Sequence, residues 1–223
     1  MSKRQDVIGA DSYDFETTKS GLIYTKLCGW IDLGHAHPSN GKGDGAAYLW
    51  RKIVSERNEG NPSSDTFTVK YQQKMSAFRR NLSVGILKKY SIRKGLNIVQ
   101  KRAVFLSIVL DVSNDFEALQ ANWLFSKLTN SGFSAEDLIS NLISVYRSIN
   151  PNINYIDHCK PVDKTTALQI WDNYGEIGNI KNSTLSPYLF PLNAKGKPEK
   201  GALPDFLNTI NIRKAESLYE EVK

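Results

Sequence analysis

The chain is 223 residues long, 40% hydrophobic and 23% charged, so it buries enough apolar surface to offset chain entropy, which excludes an intrinsically disordered protein. Its length lies within what one domain reaches, and we read residues 1–223 as a single domain with a polar leader, 1–19, and a surface-wrapping tail, 180–223. The net charge of +6 favours anionic partners, but the basic clusters Arg79-Arg80, Lys88-Lys89 and Lys101-Arg102 are scattered and lack interleaved aromatics, which argues against nucleic acid.

The leader has no apolar run of the secretory type, so no signal peptide is expected. Nor is membrane insertion, because the most apolar stretch, Ala103 to Leu110, falls far short of the ~20 residues that span a bilayer. Gly21 to Thr25 reads as a short strand. The segment Cys28 to His37 fits two periods. As a strand it places Cys28, Trp30 and Asp32 on one face and Ile31, Leu33, His35 and His37 on the other, neither cleanly apolar; as a helix it aligns Cys28, Ile31, Asp32 and His35. A short helix or helical turn is the reading we adopt, although Gly29 and Gly34 each weaken it by about 1 kcal/mol.

Pro38 to Gly45 is a turn-rich loop, with Asp44 as cap of a helix through Ala46, Leu49, Trp50 and Ile53. Asn58 to Asp65 is a second loop, Thr66 to Tyr71 alternates as a half-buried strand, and Leu82 to Tyr90 is open between strand and helix. Helical spacing dominates the second half. One helix starts near Gly95 and runs through Val109; a further one, capped at Asn114 or Asp115, carries Phe116, Leu119, Trp123 and Leu124. Ser134 to Asp137 reads as a cap with early acids before the stripe Leu138, Leu142, Val145 and Tyr146. Asp163 caps a helix from Thr165 through Trp171, and a short terminal helix begins at Ile212. The fold class that follows is α+β: a small β-sheet packed with several helices, helix-rich in its C-terminal half.

Two cysteines and three histidines hold most of the nucleophile and base chemistry available. A cysteine nucleophile needs an imidazole to take its proton and a polar group to orient that imidazole, and Cys28, His35 and Asp32 are those residue types. On a straight strand or helix Cys28 and His35 do not meet, so Cys28 with His158, or His35 with Cys159, are the alternative pairings. Each cysteine is equally accounted for as a small buried hydrophobe, or the two as a disulfide. No cofactor is expected; the alternative is zinc held by His35, His37 and His158. Glu117, or Glu136 with Asp137, offers carboxylate chemistry of the glycosidase kind, though acids in a first helical turn ordinarily serve the helix dipole, which is how we read Glu136 and Asp137.

The stretch from Cys28 through Gly, Trp, Ile, Asp, Leu and Gly to His35-Ala, together with Phe133-Ser-Ala-Glu-Asp-Leu-Ile-Ser-Asn141, resembles a bacterial family of cell-envelope proteins and secreted toxins. Within it the chain looks most like type VI secretion effectors of the TseH kind, peptidoglycan hydrolases with a papain-like, NlpC-type cysteine peptidase core. The resemblance implies an antibacterial toxin that cleaves an amide bond in peptidoglycan stem peptides, with Cys28 or Cys159 as nucleophile, His35 as base and Asp32 as orienting group. It further implies an immunity protein and a secretion apparatus as partners, synthesis in the cytoplasm and action in the target-cell periplasm. Cys28 departs from the Asp-Cys-Ser-Gly helix start usual in NlpC-type enzymes. The competing expectations are a zinc amidase and a non-catalytic envelope-binding domain.

Overall fold

The structure, a computed structural model, describes residues 3–39, 45–57, 64–77, 82–121, 134–193 and 195–222. It is mixed α+β, with small sheets and several helices. Strands β1 (Val7–Ile8), β2 (Leu22–Thr25) and β3 (Gly29–Asp32) form the first sheet, β1 parallel and β3 antiparallel to β2, with Val7 opposite Leu22 and Leu22 opposite Asp32. Residues 29–32 are therefore strand where we expected helix. The reason lies in burial on both faces. Ile23 and Ile31 enter the larger core, while Leu22, Tyr24 and Trp30 enter a second apolar cluster on the other side. A strand covered on both sides carries no polar face, and so none of the alternation that marks a half-exposed one.

The second sheet is a long hairpin of β4 (Thr66–Ala77) and β5 (Leu82–Arg93), the latter resolving the ambiguous segment as strand. Phe67, Val69 and Tyr71 turn inward at every second position, as the sequence alternation implies. Helix α1 (Ala46–Ser55) buries Ala46, Leu49 and Ile53; its expected cap, Asp44, lies outside the described residues, as do 58–63 of the second loop. Helix α2 (Ile98–Ala121) runs unbroken past Asn114 and Asp115, which are exposed mid-helix positions and not a cap. Asp115 instead joins Asp111 and Glu221 around the Lys88 ammonium, at 2.7, 2.8 and 3.2 Å. Trp123 and Leu124 lie outside the described residues.

Helix α3 (Asp137–Ile149) is buried continuously from Asp137 to Ser148, wedged against α1, α2 and β3. A single turn, α4 (Tyr155–His158), leads to α5 (Lys164–Tyr174), whose first turn is capped as expected by Asp163 accepting the Thr166 N–H at 2.9 Å. The polar leader contributes a strand, with Val7 fully buried. The tail does more than wrap the surface. After the short hairpin β6 (Tyr188–Leu189) and β7 (Glu199–Lys200), Leu207, Ala215 and Leu218 enter the main core. The expected terminal helix is one 3-10 turn, Ile212–Lys214, before β8 (Tyr219–Glu221) pairs with β5. Among the described residues no helix is long and apolar enough to cross a membrane.

Candidate functional site

Strand β3 ends at Asp32, and the chain folds back there in a turn made by that side chain. Asp32 Oδ1 accepts the N–H groups of Gly34 at 2.7 Å and His35 at 3.2 Å, and the Ala36 N–H reaches the Asp32 carbonyl at 2.9 Å. Asp32 thus fixes the backbone of the turn that carries His35. Helix α3 clamps the turn from two sides. The Asp32 N–H donates to Ser140 Oγ at 3.0 Å, Ser140 Oγ donates in turn to the Glu136 carbonyl at 2.6 Å, and the buried Arg147 guanidinium donates to the Ala36 carbonyl at 3.3 Å. Asp32 and Ser140, 108 residues apart in sequence, are thus in direct contact; Phe133 lies outside the described residues.

The turn opens onto a cavity of about 340 Å³ lined by His35, His37, Tyr71, Gln73, Phe116 and Asn141 among others. His35 is half-buried. His37 turns its Nδ1 to the backbone of Ser39, and its pKa is lowered, first by burial and then by the positive charges of Arg147 and Lys19.

Three carboxyl groups gather in the protein interior beside this turn. Glu117 from α2 is fully buried, Glu136 is 4% exposed and Asp137 8%. Glu136 is pushed up to about 7, chiefly by burial, with the negative charges of Asp32 and Glu117 adding to the rise and the positive charge of His35 opposing it. Burial and the charges of Glu136 and Glu117 raise Asp137 well above the carboxylate range; a hydrogen bond to Glu117 acts the same way, as expected of two carboxyl groups sharing a proton. Asp137 Oδ2 also accepts the Ser134 N–H at 2.8 Å. Acids that merely complement a helix dipole stay in water and stay ionised. Glu136 and Asp137 do stand at the N-cap and in the first turn of α3, where we read them, but both are buried there.

The chain finds no match among family models, curated proteins or solved structures. Its site is therefore read from its own chemistry.

Neither cysteine lines the cavity. Cys28 occupies the β2–β3 turn at 1% exposure, its N–H bonded to Thr25 Oγ1, and Cys159 follows α4 at 0%. Both are free thiols that hydrogen-bond each other, and the Cys159 thiol is pushed far up by that bond and then by burial, the opposite of an activated nucleophile. Cys28 and His35 also lie beyond opposite ends of β3, whose four residues extend about 13 Å. The Cys28–His35 and Cys159–His35 pairings thus do not form at the cavity. His158 is exposed and packs edge-on to Phe206, 5.6 Å between ring centres, away from the cavity lining. No three His, Cys, Asp or Glu side chains among the described residues are grouped to hold a metal ion.

Sequence reasoning missed Gln73 and Asn141. Gln73 had a signal, since it continues the inward row Phe67, Val69, Tyr71 as a polar residue on an apolar face. Asn141 gives no sign in the sequence of facing a cavity.

Proposed function

We propose that this chain is a hydrolase that cleaves an amide bond of peptidoglycan by general-base catalysis at His35, without a thiolate. The observation that carries the reading is an imidazole at the wall of the cavity, on a turn held by Asp32 and α3, with the buried Glu136 carboxyl near enough to feel its charge. His35 takes a proton from a water molecule as that water attacks the scissile carbonyl. The imidazolium then returns the proton to the departing amine, so no covalent enzyme intermediate forms.

The substrate class rests on the resemblance of the Cys28–Ala36 and Phe133–Asn141 stretches and on the net charge of +6, which draws the protein to an acidic wall. The same resemblance supports delivery by a type VI apparatus, action in the target-cell periplasm and neutralisation by an immunity protein. Of the papain-like, NlpC-type core, the reading keeps the α+β class; the thiols contribute packing.

Purified protein incubated with peptidoglycan, with released fragments identified by mass spectrometry, tests the proposal. His35→Ala is expected to lower release by about 10²-fold or more, and Cys28→Ala and Cys159→Ala to retain it. No release by the wild-type chain, or loss confined to the cysteine variants, would overturn it.

A further inference from the structure

Gln73 from β4 and Asn141 from α3 meet at the wall of the His35 cavity. Gln73 Nε2 donates to Ser113 Oγ at 2.9 Å and to Asn141 Oδ1 at 3.4 Å. This leaves Gln73 Oε1 and Asn141 Nδ2 buried with no hydrogen-bond partner among the described residues, and Asn141 is only 4% exposed. Buried polar groups are satisfied almost everywhere in folded proteins, so an orphaned acceptor and an orphaned donor on touching side chains beside a cavity are placed to take up a hydrogen-bonding partner. Rotating both amides together exchanges the roles of the two residues but still presents one acceptor and one donor.

We propose that this pair reads a secondary amide of the substrate, its N–H donating to Gln73 Oε1 while its carbonyl oxygen accepts from Asn141 Nδ2. Tyr71 and Phe116, both cavity-lining, supply apolar surface for the carbon groups flanking that amide. Esters and carboxylates lack the N–H and leave the Gln73 acceptor buried and unpaired, which is the stronger source of discrimination. The proposal deepens the peptidoglycan reading and rests on it for the origin of the ligand. Peptidoglycan carries secondary amides both as peptide bonds and as acetamido groups on its sugars.

Binding to the full chain, measured by calorimetry or by NMR shifts, separates these sources. The peptide arm compares D-alanyl-D-alanine with its ester isostere D-alanyl-D-lactate. The sugar arm compares triacetylchitotriose with its de-N-acetylated form. One amide probe is expected to bind at least tenfold tighter than its amide-free counterpart, and the arm in which it does so identifies the source. Gln73→Leu and Asn141→Leu should each weaken that probe tenfold or more, with folding of each variant checked by a thermal melt. Binding of neither amide probe, equal affinity for both members of each pair, or unchanged affinity in both folded variants would overturn the proposal; if a variant fails to fold, the wild-type comparison decides alone. Amide binding and fragment release are both measured on the wild-type chain. Amide selectivity without fragment release therefore overturns only the hydrolase reading, and release without selectivity overturns only this one.

Discussion

Replacing Glu136 by glutamine removes one ionisable group from the buried carboxyl cluster while keeping its shape. The Glu136 pKa rises from an ordinary 4.5 to about 7 on folding, and at about 1.4 kcal/mol per pKa unit this amounts to ~3 kcal/mol. The sign follows from proton counting. Between pH 4.5 and about 7 the folded chain holds a proton on Glu136 that the unfolded chain has released, so stability is fully present below 4.5 and falls as pH rises through 7. Glutamine cannot ionise and escapes this loss. Urea unfolding at pH 5 and pH 8 measures the difference: Glu136→Gln should match the wild type within about 1 kcal/mol at pH 5 and exceed it by up to ~3 kcal/mol at pH 8. The gain has a second contribution, because removing the Glu136 charge also relieves Asp137. A stability difference that is the same at both pH values would refute the reasoning, since it would mean that Glu136 ionises in the folded chain as freely as in the unfolded one.

Gly29 sits at φ +66°, and a Cβ there would lie 2.0 Å from the Tyr188 carbonyl oxygen. Gly29→Ala should therefore cost about 1–3 kcal/mol and lower the unfolding midpoint by ~2–4 °C per kcal/mol; an unchanged midpoint in a thermal melt would contradict the close approach. The paired thiols are expected to react with a disulfide reagent only when the chain opens, and Cys28→Ala or Cys159→Ala to cost about 1–2 kcal/mol through lost packing. Rapid stoichiometric labelling of the folded protein would show that either sulfur is accessible.

The sequence by itself determined what depends on neighbours along the chain. The α+β class, the Asp163 cap, the α1 face of Ala46, Leu49 and Ile53, and the inward row of β4 all follow from period and local hydrogen bonding, and all are present. Local signals misled where burial on every side erased the contrast they rely on. Residues 29–32, covered on both faces, lost their strand alternation, and Asn114-Asp115 resembled a cap only because Lys88 and its acids lie far away in sequence. The site belongs wholly to tertiary structure. His35 was visible as a scarce imidazole, but Glu136 and Asp137 acquire raised proton affinities only because α3 carries them out of water beside Glu117 of α2. Likewise the two thiols, the most conspicuous chemistry in the sequence, are paired with each other in the interior, because the β2–β3 turn and the end of α4 are tied by the Leu27 N–H to the Cys159 carbonyl at 3.1 Å. Residue type can be read from a sequence, but desolvation and the distance between remote side chains exist only once the chain has folded.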